Sequence, residues 1–254
     1  VQNAQLQNVG EIQTRGVEVT LDASPVVTQS FRWTTALNFD WTENEVLDLG
    51  PTAQDGILGD EREGYAVESI FGREVNGWDA ESQTHTRTDT AVYQGHPLPN
   101  WSGGFSNTLT FGPMRLFAQL RGEWGATFSN SDRPYRVRQQ AGDEYLSTLD
   151  ANGDVTPVTD SLVNYFTLQS AYDSRDQIRL QELSLSYEMP QSLVGAIGLG
   201  RTHLTVSGYN LWWWDSCNCM DPSMQYAGGS SFNFSGFLAM PHPRRFLFSL
   251  RTAF

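Results

Sequence analysis

The chain has 254 residues, a formal net charge of −13 and no lysine, so every basic residue apart from histidine is arginine. This length suits one large β domain or two smaller ones, and the acidic balance argues against nucleic acid as a partner. No run of eighteen apolar residues occurs, which excludes a transmembrane helix.

Seven segments alternate apolar and polar side chains with a period of two, which is the pattern of β-strands. Their apolar faces, in chain order, are Val17, Val19 and Leu21; Phe31, Trp33, Leu37, Phe39 and Trp41; Phe105, Leu109 and Phe111; Leu116, Ala118, Leu120 and Trp124; Leu183, Leu185, Tyr187 and Met189; Leu204, Val206 and Gly208; Phe246, Phe248, Leu250, Thr252 and Phe254. Interruptions at Gly16 and at Gln181–Glu182 predict slips in the alternation, the second of them a β-bulge.

The links between these segments alternate in length. Short turns follow Ala23 and lie at "FGPM" and "PQSLVGAIGLG", whereas long polar stretches cover roughly residues 50–100, 130–176 and 215–243. Short periplasmic turns and long extracellular loops are typical of up-and-down barrels in outer membranes. We therefore predict an all-β fold, an antiparallel transmembrane barrel segment of about seven strands.

The segment from Phe31 to Trp41 fits the ~9–11 residues that a barrel strand needs to cross the hydrocarbon. Its apolar face would meet lipid, while Arg32, Asn38 and Asp40 would meet a polar lumen. The alternative is a half-buried strand of a soluble sheet, which seven such segments with one-sided long loops disfavour. The predicted lipid-facing and aromatic-girdle residues are Phe31, Trp33, Phe39, Trp41, Leu120, Trp124, Trp212, Phe246, Phe248 and Leu250.

Several ordered motifs resemble one family, the TonB-dependent outer-membrane receptors of the SusC/RagA type, in their C-terminal barrel portion. The motifs are "NVGEIQTRGVEVTL", "EGYAVESIFGREVNG", "GHPLPNWSGGFSNTLTF", "LQELSLSYEMPQSL" and "LTVSGYNLWWW" followed by Asp221-Pro222. The terminal aromatic Phe254 matches the residue that the barrel-assembly machinery recognises in this class.

The resemblance implies a 22-stranded barrel in the bacterial outer membrane, with an N-terminal plug domain inside it. Such receptors import oligosaccharides or peptides, with a SusD-like lipoprotein as lid and TonB supplying energy through the N-terminal part. Seven strands is an odd number, whereas bacterial single-chain barrels have even numbers. We therefore expect residues 1–254 to be the C-terminal part of the barrel, lacking the plug domain and the N-terminal strands, and we expect no enzyme activity.

The richest candidate for ligand contact is "NLWWWDSCNCMDP". Trp213, Asp215 and Asp221 would offer an aromatic platform and carboxylates to an oligosaccharide or peptide. In the simpler interpretation Trp212 and Trp214 are girdle anchors and only Trp213 faces inward.

No metal or cofactor site is predicted, because the four histidines are scattered. "DANGD" at Asp150–Asp154 begins like a calcium loop but lacks the later glycine and glutamate, so loop calcium has only weak support. Cys217 and Cys219 could be free thiols or a tight disulfide. Two other functions stay open: an outer-membrane scaffold without transport, and a secreted glycan-binding β-sandwich.

Overall fold

The computed structural model describes residues 10–169, 172–223 and 236–253. Seven long strands form one sheet, in which each strand pairs antiparallel with the next along the chain. They are β1 (Glu11–Val27), β2 (Phe31–Asp48), β3 (Trp101–Phe111), β4 (Met114–Trp124), β5 (Gln177–Glu188), β6 (Thr202–Asp215) and β7 (Arg245–Thr252). All seven predicted segments are strands of this sheet, so the predicted fold class is confirmed.

The strand register places the apolar side chains in rows on one face of the sheet, which we call the apolar face. One row passes through six strands and consists of Leu21, Leu37, Phe105, Leu120, Leu180 and Trp212. A second row ends at Leu185, Val206 and Phe248. Large side chains on this face are exposed, with Phe248 at 73%. The sheet thus presents a broad apolar surface, interrupted by the paired Thr35 and Asn107, with nothing packed on it in the described part of the chain.

The opposite face, which we call the polar face, is lined by hydroxyl and charged side chains. Ser184 donates a hydrogen bond to the Ser207 hydroxyl at 2.8 Å. One row further along, the hydroxyls of Ser186 and Thr205 are 2.9 Å apart. Because the side-chain period of a strand is two, each apolar residue is followed by one that points to this face.

The links have the predicted alternation. Residues 28–30, 112–113 and 189–201 are short connections, whereas residues 49–100, 125–176 and 216–244 are long ones. In an antiparallel meander the long links all leave from the same end of the sheet, which we call the loop end. The other sheets among the described residues have two strands each, so the second large sheet that a β-sandwich needs is not there.

Three details differ from the sequence-based prediction. The first short turn does not follow Ala23 directly but lies at residues 28–30, because Ser24 and Pro25 form an irregularity within β1, which continues to Val27. Strand β2 continues past Trp41 to Asp48, and its upper part binds the following loop, with Val46 donating to the Tyr65 carbonyl. The pairing of β1 is regular at Gly16, so the slip predicted there is wrong. A Cβ at Gly16 would lie 2.6 Å from the Trp41 carbonyl oxygen, which means that the glycine permits a close backbone approach.

The bulge predicted at Gln181 is confirmed. Glu182 pairs with Gln119 and Leu180 pairs with Leu120, which leaves Gln181 as the extra residue. On the other side of β5, Asn210 has a positive φ of 53°, which asparagine tolerates better than most residues. The bulge places Leu180 and Ile178, on the loop-end side of Gln181, on the apolar face.

The long links carry their own secondary structure at the loop end. Short strands pair as Ile57–Leu58 with Glu61–Arg62, Ile70–Gly72 with Val92–Gly95, Val75–Asp79 with Thr84–Arg87, and Thr127–Ser129 with Tyr172–Ser174. The helices are α1 (Asp132–Arg138), α2 (Asp143–Leu146), α3 (Pro157–Leu168) and α4 (Gln191–Val194), with a 3-10 turn at Gly195–Ile197. Helices α1 to α3 bury a small core of Val137, Tyr145 and Phe166.

None of the helices in the described ranges is long and apolar enough to span a membrane.

Candidate functional site

A cavity of about 370 Å³ opens on the polar face at the loop end, between β4, β5 and β6. Strand alternation explains why polar side chains line the cavity. Arg121 and Glu123 alternate with apolar-face residues on β4, and Gln177 and Arg179 do the same on β5. The full lining is Arg121, Gly122, Glu123, Arg175, Gln177, Arg179, Gln181, Asn210, Ser223 and His242. The bulge brings Gln181 into this set.

A buried ion pair joins β5 to the third long loop. Arg179 donates to both carboxylate oxygens of Asp221, at 2.5 Å and 3.3 Å. The two side chains are 7% and 0% exposed. Asp221 also accepts from the amide and hydroxyl of Ser223 and from the amide of His242. Asp221 therefore fixes the loop against the strand and has no surface open to a ligand.

The environment of Asp221 favours its charged form. Burial by itself would raise the pKa of this carboxyl, but hydrogen bonds from Ser223 and Arg179 outweigh it and lower the pKa below its ordinary value. The carboxylate therefore remains ionised at neutral pH and keeps the arginine compensated.

Arg175, in the second long link, is hydrogen-bonded to both of the other long links beside the Arg179–Asp221 pair. Its guanidinium donates to the carbonyl oxygens of Pro222 at 3.3 Å and Pro97 at 3.2 Å. Glu123 lies 3.9 Å away. Burial lowers the pKa of Arg175, and the nearby Glu123 partly opposes this shift. Arg175, Arg179 and Asp221 together form a loop clamp that connects all three long links.

Arg121 differs from these two arginines because its side chain is 55% exposed. It donates to Glu123 at 2.7 Å, so Glu123 serves both Arg121 and Arg175. The guanidinium of Arg121 is the most accessible of the three that line the cavity.

The three consecutive tryptophans of β6 divide between the two faces. Trp212 and Trp214 are about half exposed on the apolar face, where they oppose Leu180 and Ile178. Trp213 opposes Arg179 on the polar face, and the guanidinium carbons of Arg179 and Arg244 lie 5.4 Å and 5.6 Å from its ring centre. Both distances are within the range of a cation–π contact.

An aromatic cluster marks the loop end of the apolar face. Trp101 lies 5.5 Å from Phe39 and 5.9 Å from Trp41, measured between ring centres. Trp124 on β4 pairs with Trp101 on β3. The indole of Trp124 lies over Gly122, and a Cβ at that glycine would collide with it.

The remaining predicted positions have simple geometries. Asp215 accepts from the Cys217 amide at 3.2 Å, and Cys217 is joined to Cys219 by a disulfide. Asp150 accepts from the amides of Asn152 and Asp154, so its turn is held by its own hydrogen bonds. Phe254 lies outside the described residues.

The sequence-based reasoning missed the arginines and glutamines of the cavity. The available signal was their spacing: Arg175, Gln177 and Arg179 occupy every second position and so share one face. Their connection to Asp221 depends on loop folding across 42 residues, which strand periodicity does not encode.

Comparisons with known proteins agree with this architecture, although no family model matches the chain. TonB-dependent receptor P3 of Formosa agariphila is 25% identical over 271 residues, covering 88% of this chain and 26% of the receptor. TonB-dependent receptor P26 of the same organism is 26% identical, covering 92% and 27%. TonB-dependent receptor SusC of Bacteroides thetaiotaomicron is 40% identical over 48 residues, or 18% of this chain and 5% of SusC.

Solved structures give the same result for the fold. The structure of the RagAB peptide transporter matches 99% of this chain and 30% of its own chain, with a TM-score of 0.77 and 20% identity. The RagAB peptide importer in its open-open state matches with a TM-score of 0.76.

The sheet, its one-sided loops and its structural neighbours define one section of the wall of an antiparallel β-barrel. The chain is a homologue of TonB-dependent receptors, SusC among them, and the resemblance seen in the sequence motifs is confirmed. It spans about a quarter of the length of the curated receptors P3 and P26.

Proposed function

We propose that this chain forms part of the wall of an outer-membrane, TonB-dependent receptor that imports a nutrient such as an oligosaccharide or a peptide. The observation that carries the proposal is the broad, exposed apolar face below a polar, arginine-lined mouth. From Phe31 to Trp41, ten strand steps of ~3.3 Å give ~33 Å, and a strand tilt of ~40° reduces this to a height of ~25 Å, the usual apolar band of such barrels.

We further propose that residues 1–254 are the C-terminal part of the barrel and that the remaining strands and a plug domain complete it. Strands β1 and β7 each have one neighbouring strand in the described part of the chain. Backbone groups at an open sheet edge find no hydrogen-bond partner in lipid, so a membrane sheet must close. The roughly fourfold greater length of P3 and P26 supports this view.

The partners in this proposal follow from the two ends of the sheet. A SusD-like lipoprotein would cover the loop end, and TonB would act through the plug domain. The barrel-assembly machinery would engage the C-terminal strand, and outer-membrane lipid would contact the apolar face. All three long links lie at one end, which supports a single extracellular side for lid and ligand.

The proposed ligand contacts include Trp213 and Asp215, which point to the polar face. Asp221 has an indirect part, since it holds Arg179 beside the Trp213 ring. Trp212 and Trp214 are assigned to the membrane girdle.

Growth of a deletion strain tests the proposal. Parent and deletion strains would be compared on a panel of polysaccharides and protein hydrolysates as sole carbon sources, and we expect growth to be lost on at least one. Trp213→Ala should reduce growth on that source, and Trp214→Ala, on the opposite face, serves as the matched control. Unchanged growth of the deletion strain on every source would favour a scaffold without transport.

A further inference from the structure

We propose that the third short link, residues 189–201, is a membrane anchor that lies in the phospholipid surface at the end of the sheet opposite the loop end. This inference rests on the proposed function, because it takes the apolar face to be in contact with lipid. It adds a membrane contact made by a segment that is not a strand. The evidence is the side of the sheet on which the link folds, its depth, its composition and the side chains that it leaves exposed.

This link, which we call the helical link, differs from the other two short links, which are tight turns. It contains α4 and the 3-10 turn that follows it, and it is attached to the sheet at both ends. The Met189 amide donates to the Thr202 carbonyl at 2.9 Å, and the Gly200 amide donates to the Ala253 carbonyl at 2.8 Å. The helical link therefore has a defined position against the end of the sheet.

The burial of Thr202 indicates the side on which the helical link folds. Thr202 opposes Thr252 in the register, and strand alternation places both side chains on the apolar face, two residues beyond Leu204 and Leu250. Leu204 and Leu250 are exposed, whereas Thr202 is only 1% exposed. The strands leave this face open, so the helical link is what covers Thr202, and Val194 of α4 is itself only 3% exposed.

The depth of this position matches the boundary of the apolar band. The last apolar row at this end of the sheet consists of Phe31, Phe111, Met114, Tyr187, Leu204 and Leu250. Thr202 lies two residues beyond Leu204, which is ~6.6 Å along the strand or ~5 Å in height at a tilt of ~40°. Because Phe31 marks the edge of the band, the helical link lies just outside the hydrocarbon, at the level of the lipid headgroups.

The composition of the helical link suits that level. Residues 189–200 contain no charged side chain and no histidine, although 18% of the chain is charged. The nearest charged groups, Glu188 and Arg201, pair with each other at 2.9 Å. Leu193 and Ile197, four residues apart in one helical run, are 62% and 73% exposed. The helical link thus presents large apolar side chains and no charge to its surroundings.

The side of the sheet decides between lipid and protein as the occupant. A plug domain inside the barrel would meet the polar face, whereas the helical link covers Thr202 on the apolar face. This surface continues the one that the strands present to lipid. Apolar side chains at such a boundary insert ~5–10 Å into the region between the headgroups and the acyl chains. Phospholipid is therefore the partner of Leu193 and Ile197.

Spin-label depth measurements on the native receptor, reconstituted in vesicles of phosphatidylethanolamine and phosphatidylglycerol, test the inference. Nitroxide labels would be attached to Ile197→Cys, to Phe105→Cys and to Gln29→Cys, with the parent receptor treated identically as background. Collision rates with oxygen, which concentrates in lipid, and with a water-soluble nickel chelate give the depth of each label. We expect the Ile197 label ~5–10 Å below the phosphates, the Phe105 label near the bilayer centre, and the Gln29 label in water. Gln29 is the matched control, because it is exposed in another short link at the same end.

Leu193→Cys provides a second label position and should give the same depth as Ile197→Cys. Labels in the helical link that are as accessible to nickel as the Gln29 label would overturn the inference. Labels shielded from both reagents would also overturn it, because a protein surface would then cover the link. In either case an oxygen-accessible Phe105 label would still support a lipid-facing wall, whereas nickel access at Phe105 would contradict the proposed function and the inference together.

Discussion

An arginine placed on the apolar face near the centre of a strand should destabilise the protein strongly. Phe105 lies one residue from Ser106, the middle of the eleven-residue strand β3. This offset is ~3.3 Å along the strand, or ~2.5 Å in depth at a ~40° tilt. Phe105→Arg should therefore carry nearly the full midplane cost of ~2–4 kcal/mol in the free energy of unfolding.

Depth along the same strand provides a graded comparison. Phe111, on the same face, lies five residues from the middle, or ~16 Å along the strand and ~13 Å in depth, which is the edge of a ~25 Å apolar band. Phe111→Arg should therefore cost only ~0–1 kcal/mol. Ser106→Arg, on the polar face, is the facing control and should be tolerated far better than Phe105→Arg.

The assay is urea unfolding of the native protein in phospholipid vesicles, followed by tryptophan fluorescence and by heat-modifiable migration on gels. The expected order of destabilisation is Phe105→Arg above Phe111→Arg and above Ser106→Arg. Equal damage from Phe105→Arg and Ser106→Arg would refute the assignment of faces. Equal damage from Phe105→Arg and Phe111→Arg would refute the assignment of depth.

Three further predictions concern the loop end. Asp221→Asn should destabilise by about 3–5 kcal/mol because it leaves Arg179 buried without its counter-ion, and protease cleavage within residues 216–244 would report it. Folding lowers the pKa of Asp221, so the stability that its carboxylate gives the folded protein is present above the unfolded pKa of ~3.9 and is lost as the pH falls through the lower folded pKa. The difference in melting temperature between wild type and Asp221→Asn should therefore shrink at low pH. A constant difference down to pH 2 would contradict this prediction. Phe166→Ala should cost about 3–5 kcal/mol in the small loop core, with faster amide hydrogen exchange over residues 132–168 and unchanged exchange in the sheet. Replacing both Cys217 and Cys219 by alanine should lower the free energy of unfolding by at most about 1–2 kcal/mol in the chain-entropy model, since the disulfide closes a loop of three residues. A larger loss of stability in thermal unfolding would contradict this prediction.

The strands were predictable from the sequence because a period of two is a local property. Residues such as Phe31, Trp33 and Phe39 show their common face without any knowledge of neighbouring strands. The bulge at Gln181 was also visible, since an extra residue interrupts the alternation. Gly16 was misread because glycine marks a close backbone approach as readily as a bulge.

The loop end was less predictable because its contacts depend on distant residues. The core of Val137, Tyr145 and Phe166 lies within a stretch that is polar on average, so composition indicated only a loop. Asp221 was recognised as a candidate, but its burial against Arg179 arises from the way the third link folds back onto β5. The cavity follows from the same folding.

The central claim is that this chain is one part of a TonB-dependent importer, and mass spectrometry of the native complex tests it most directly. The complex would be extracted from outer membranes in mild detergent, and its peptides identified. We expect peptides from a plug domain and from further barrel strands, together with a copurifying lid lipoprotein. A complex of this chain with neither plug peptides nor a lipoprotein would contradict the account and indicate a barrel or scaffold without import.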